Sequence, residues 1–277
     1  MNIEYSQKHS YEITDSIETT SGAGALHKAK DLVLGRTVAI KAMKILGDKP
    51  YEREGNYKKA LSEVKAMVQI GNLNLHVPKI YDVYYDQKAQ YIYIVMDWID
   101  GTTLTQKMDS ANERDFIGWI GEICNILKEM SKKKLYHKDI KPDNIMITHR
   151  GDAFLIDFNI SISTPNLDEG TIQYKAPEMD RGSRYVGREK VDMFSIGMIL
   201  YEYYTGKPAM LGKDYAEGSL RGPFQWERFI EPINKNPNMK KEINDIIVKC
   251  MKLDPKDRYR DYCELSYTIN NYRRIIR

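Results

Sequence analysis

Apolar and polar positions change rhythm along this chain. In the first hundred residues, Thr37-Val38-Ala39-Ile40 and Tyr91-Ile92-Tyr93-Ile94-Val95-Met96 are short β-branched or aromatic runs flanked by turn residues. Such runs predict strands. Between them, Leu61, Val64, Met67 and Val68 recur at helical spacing and predict a helix over 57–70. Beyond Asp100-Gly101 the rhythm becomes mainly helical. Phe116, Trp119, Ile120, Ile123, Leu127 and Met130 share one face, and 242–251 reads as another amphipathic helix. Positions 191–204 are apolar almost all round, the pattern of a helix buried on every side. A small strand-rich part therefore precedes a larger helical part, with the joint near 96–101. No internal repeat or low-complexity linker is present.

Composition narrows the function classes. The 277 residues are 42% hydrophobic and 29% charged, enough apolar surface for a core beneath a polar exterior. A net charge of +3, with Lys and Arg interspersed among acids, gives no basic patch for nucleic acid or an anionic membrane. Cys124, Cys250 and Cys263 form no Cys-x-x-Cys pair, so neither a disulfide framework nor a zinc site is expected. A reducing, cytoplasmic setting is the expectation. Residues 1–8 lack an apolar signal core. No apolar run approaches the roughly 20 residues of a membrane helix.

The segment richest in chemistry is Tyr136-His137-Lys138-Asp139-Ile140-Lys141-Pro142-Asp143-Asn144. Asp157-Phe158-Asn159 follows, preceded by an apolar run over 153–156, and then Ala176-Pro177-Glu178. Upstream stands Val38-Ala39-Ile40-Lys41. In this order the segments resemble the catalytic loop, metal-binding turn, Ala-Pro-Glu motif and ATP-lysine strand of protein kinases. The resemblance extends from about residue 11 to residue 258. It implies an α+β, two-lobed fold: a small antiparallel-sheet N-lobe with one helix, and a larger, mainly helical C-lobe. The whole of 1–277 is then one kinase domain, with N-lobe 1–96, hinge 97–100 and C-lobe 101–277.

The resemblance also assigns roles. Phosphoryl transfer depends mainly on positioning and neutralising a highly charged phosphate. Lys41, a compact cation, would hold the α- and β-phosphates of ATP, oriented by Glu63 on the 57–70 helix. Glu52 and Glu54 are less regular candidates for that partner. Asp139 would accept or orient the substrate hydroxyl, and Lys141 would contact the γ-phosphate. Asn144 and Asp157 would hold Mg²⁺, which favours hard oxygen ligands. The nucleotide pocket would be built from Ser21, Gly22, Gly24, Leu26, Ala39 and Lys41, with Met96 at its back and hinge residues Asp97, Trp98 and Ile99 bonding adenine through their backbone. Lys141 and Thr171, in Gly170-Thr171-Ile172-Gln173-Tyr174, resemble the serine/threonine class. Asp192 is expected to bond the catalytic-loop backbone, Arg258 to pair with Glu178, and His137 to pack rather than act as a base. The implied reaction transfers the γ-phosphate of ATP to a protein Ser or Thr hydroxyl, autophosphorylation included.

Four features depart from the family pattern. The first two glycines of the phosphate loop fall on Thr19 and Ser21. Lys138 stands where an Arg would clamp a loop phosphate with two parallel bonds. Asn159 replaces the Gly after Asp-Phe, at a place where positive φ is expected. The segment 157–178 is short. Activation-loop phosphorylation is therefore not expected to be strictly required. A nucleotide-binding pseudokinase and a small-molecule kinase remain the alternatives.

Overall fold

The computed structural model describes residues 10–18, 24–73, 75–158, 172–179, 188–209 and 229–276. They form two compact units, the first ending at Asp100 and the second beginning at Gly101.

The first unit is a five-stranded antiparallel sheet with one long helix. Its strands are β1 (Tyr11–Glu18), β2 (Gly24–Asp31), β3 (Thr37–Lys44), β4 (Ile80–Asp86) and β5 (Tyr91–Asp97), in the order β1-β2-β3-β5-β4. Ala29, Val38, Ile40 and Val95 make a buried cluster, against which Tyr11, Tyr84 and Tyr93 pack. Helix α1 (Pro50–Gly71) begins seven residues before the expected start at 57. The reason lies in its polar first turn. Pro50 occupies the start, where its missing N–H is no loss. The Glu52 carboxylate accepts from the backbone N–H groups of Asp48 (3.0 Å) and Lys49 (3.1 Å). Capping of this kind leaves no trace in hydrophobic periodicity.

Beside its backbone bonds, the turn between β2 and β3 is braced by a buried carboxylate. Asp31 is fully buried and accepts from the N–H groups of Val33 and Leu34, both at 3.0 Å, and from Arg36 Nε at 3.2 Å. Burial pushes the Asp31 carboxyl up, but the Leu34 and Val33 N–H groups and the Arg36 guanidinium outweigh it and hold it below the ordinary value. Asp31→Ala should lower stability by about 1–3 kcal/mol at neutral pH by orphaning two N–H groups. A depressed folded value stabilises above the unfolded carboxylate pKa of about 4 and is lost as pH falls through the folded value. The gap between wild type and variant in urea titrations should therefore narrow in acid.

The second unit opens with a small sheet, β6 (Gly101–Thr103), β7 (Ile145–Thr148) and β8 (Ala153–Leu155), in that order. Its helices are α2 (Leu104–Lys107), α3 (Glu113–Lys132), α4 (Arg188–Thr205), α5 (Pro232–Lys235), α6 (Lys241–Cys250) and α7 (Tyr262–Ile275). All six residues of the expected α3 face are buried. Helix α4 is buried continuously from Asp192 to Tyr201, as its all-round apolar pattern predicts. Gly197 lets it approach α6: a Cβ there would lie 2.6 Å from Cys250 Cβ and 2.7 Å from Met251 Cγ. Among the described residues, no helix is long and apolar enough to cross a membrane.

Candidate active site

In the first unit, the residues assigned to nucleotide contacts share adjoining strands. Lys41 on β3 stands opposite Leu26 on β2 and Ile94 on β5. Ala39 stands opposite Met96. Ala39 is buried, while Lys41 and Met96 are half-buried. These placements follow from antiparallel register, which sets residues of three strands side by side. Lys28 Nζ lies 4.8 Å above the Trp98 ring, a cation–π contact. Gly24 is the first residue of β2. Glu63 belongs to the backbone of α1. Its side chain, and the expectations for Ser21, Gly22, Asn159 and Thr171, lie outside the described residues.

In the second unit, 137–144 forms a turn that buries His137, Ile140, Pro142 and Asn144 and leaves Asp139 and Lys141 half-exposed. Asn144 Nδ2 donates to the Asp139 carbonyl at 2.8 Å and to Asp139 Oδ2 at 3.1 Å. Lys141 Nζ lies 3.5 Å from the same Oδ2. Both side-chain contacts therefore load one oxygen of the Asp139 carboxylate and fix its orientation. Because the Asn144 amide nitrogen is committed to donation, its Oδ1 is left as an acceptor.

The turn is strained and then braced. Lys138 has φ 68° and Asp157 has φ 54°, both in the left-handed region that non-glycine residues seldom occupy. Such backbone costs about 1–3 kcal/mol per residue and persists only where surroundings enforce it. For Lys138 the enforcing group is Asp192 of α4. Its carboxylate accepts from His137 N–H at 3.1 Å, Lys138 N–H at 2.7 Å and the Tyr262 hydroxyl at 2.9 Å. Burial holds the Asp192 carboxyl above its ordinary value, against the pull of His137 and these donors. The Tyr262 contribution, from α7, has no local sequence signal.

His137 packs and bonds, as expected. It accepts from Asp139 N–H at Nδ1 (3.3 Å), so the Nε2 proton points to the Ile156 carbonyl at 3.1 Å. Its ring sits 4.9 Å from that of Phe158. Phe158 is buried while Asp157 is exposed, so this turn sends the apolar ring inward and the carboxylate outward. Ile156 N–H donates to the Asn144 carbonyl at 2.9 Å, tying the segments of Asn144 and Asp157 together. Farther along, Arg258 forms the expected pair with Glu178, Nη1 to Oε1 at 2.6 Å and Nη2 to Oε2 at 2.8 Å. Tyr174 donates its hydroxyl to Glu202 of α4, a tie that the motif pattern does not announce.

Within the second unit, Asp139, Lys141 and Asn144 therefore form one braced turn, tied through Ile156 to the segment that carries Asp157. The protein kinase domain model matches residues 18–265, and the chain belongs to that family. It is 30% identical over 276 residues to a probable serine/threonine-protein kinase of Clostridium acetobutylicum, covering 95% of this chain and 40% of the relative. To the serine/threonine-protein kinase PrkC of Bacillus subtilis it is 26% identical, covering 86% of this chain and 37% of the relative. To PknB of Mycolicibacterium smegmatis it is 28% identical, covering 88% and 40%. The chain thus spans about 40% of the length of the curated relatives it matches.

Proposed function

We propose that the chain is an ATP- and Mg²⁺-dependent protein kinase acting on Ser and Thr hydroxyls. The observation that carries this reading is the Asp139 carboxylate, oriented through Oδ2 by Asn144 and Lys141. Its Oδ1 is then the oxygen that receives the hydroxyl proton of the acceptor. Lys141 sets a cation beside the same carboxylate, where it can also meet the transferred phosphate. Lys41 holds the α- and β-phosphates, and the backbone of 97–99 takes the adenine. The relatives' designation as serine/threonine-protein kinases supports the serine/threonine class.

The donor chemistry suits magnesium. Asn144 Oδ1 and the Asp157 carboxylate are hard oxygens carried on segments joined by the Ile156–Asn144 bond. When bound, the metal neutralises charge on the phosphates. Asp157→Ala should weaken nucleotide binding far more with Mg²⁺ than without it. Calorimetry under both conditions checks this, and equal losses would contradict the metal role.

The direct test is incubation with Mg-ATP and casein, followed by intact mass and phosphoamino-acid analysis. Phosphoserine or phosphothreonine that disappears in Asp139→Asn supports the reading. Phosphotyrosine alone, or ATP binding with no transfer to any protein, refutes it.

A further inference from the structure

Asp97, the last residue of β5, is gripped from several sides. Its backbone N–H donates to the Lys79 carbonyl at 3.0 Å, and Lys79 N–H returns a bond to Asp97 Oδ2 at 2.9 Å. The Tyr81 hydroxyl on β4 donates to Oδ1. Both carboxylate oxygens and the backbone N–H are thus engaged by protein groups, and what Asp97 can offer a ligand is its main-chain carbonyl. Over the Tyr81 ring lies the Arg36 guanidinium, 3.4 Å from the centroid. Arg36 is oriented in turn by buried Asp31. A continuous series therefore runs from the β2–β3 turn through Arg36 and Tyr81 to Asp97, one residue before Trp98.

Each link has a physical direction. Asp31 fixes the guanidinium, which stacks on an aromatic face as a flexible ammonium does less well. A cation over the ring strengthens the phenol as a donor, and a charged acceptor makes the bond to Asp97 a strong one. Burial and the neighbouring Asp97 raise the Tyr81 pKa, so the phenol keeps its proton. With carboxylate and N–H both anchored, the Asp97 peptide has little freedom to rotate.

We propose that Tyr81 and Arg36 are positioning residues that act through Asp97 to hold the 97–99 backbone in register for adenine. The inference rests on the kinase reading, since that reading puts adenine there. These two residues meet neither phosphate nor metal in that reading, so they tune nucleotide affinity and leave phosphoryl transfer unchanged.

Tyr81→Phe removes only the hydroxyl and keeps the ring beneath Arg36. By calorimetry its Kd for Mg-ATP should weaken about five- to tenfold, because without the bond from that hydroxyl the Asp97 backbone must be ordered on binding. KM for ATP should rise by the same factor, with kcat and the KM for casein within about twofold of wild type. Arg36→Ala should move Kd the same way, and the double variant should add little to Tyr81→Phe. An unchanged Kd in Tyr81→Phe overturns the proposal. A parallel loss in kcat and casein KM with a lowered Tm also overturns it, because that marks general destabilisation. If Arg36→Ala fails to fold, Tyr81→Phe alone decides. Weakened binding in Tyr81→Phe, where wild type transfers no phosphate to protein, sustains this inference and sinks the kinase reading. Wild-type phosphorylation with an unchanged Tyr81→Phe Kd does the reverse. A wild type that binds no nucleotide removes both.

Discussion

Replacing Asp139 with Asn should cut turnover by about 10²–10⁴ while leaving ATP affinity and the fold nearly intact. The geometry explains both halves of the result. In the wild type Asn144 Nδ2 and Lys141 Nζ approach one carboxylate oxygen, Oδ2. An Asn side chain keeps the same shape, and its amide oxygen can still face those two donors. Its other end then becomes an NH₂ group, which donates and cannot take a proton from a hydroxyl. The backbone contribution survives, because Asn144 also bonds the residue 139 carbonyl and His137 still receives the residue 139 N–H. Steady-state kinetics on an accepted protein, beside calorimetry with ATP, checks the split. Unchanged turnover would remove Asp139 from the mechanism.

Glu178→Ala should be the most destabilising single change, by about 3–5 kcal/mol. The Arg258 side chain is 0% exposed and the Glu178 side chain 8% exposed. Arg258 also donates to the carbonyls of Lys252 (2.9 Å) and Lys190 (2.7 Å), and its guanidinium lies 5.0 Å from the Phe194 ring. Deleting the carboxylate strands a buried charge that the fold encloses on every side. The double variant Glu178→Ala, Arg258→Met should recover part of the loss, because no unpaired charge is then buried. Urea midpoints of the three proteins decide. If the double variant is as unstable as the single, lost packing rather than stranded charge is the cause.

Much of the architecture was legible because amphipathic periodicity reports directly on burial. The α3 face and the all-round burial of α4 are cases where every apolar position finds a partner. The start of α1 was missed because capping by Pro50 and Glu52 is polar chemistry without a period. At the candidate site, motif order located Asp139, Lys141, Asn144 and Asp157, since each sits in a short segment with its own spacing. The mutual bonds of Asp139, Lys141 and Asn144 span at most five residues, so they form within one turn. Asp97 illustrates the opposite situation. Its place after Met96 was evident from the strand run, but the engagement of its side chain by Lys79 and Tyr81 was not.

The sequence by itself determined the family, the order of the strand-rich and helical parts, and which residue types can carry phosphate, metal and proton. These are properties of composition and local spacing. The tertiary structure decided how those residues are held. Asp192 reaches His137 and Lys138 across 55 and 54 positions, and Tyr262 meets Asp192 across 70. Only when α4 and α7 pack can that carboxylate enforce left-handed backbone at Lys138. The positive φ at Asp157 is likewise invisible in an Asp-Phe-Asn motif, which suggests the third residue rather than the first. Hydrogen bonds between distant segments depend on how completed elements pack, and no single segment carries that geometry.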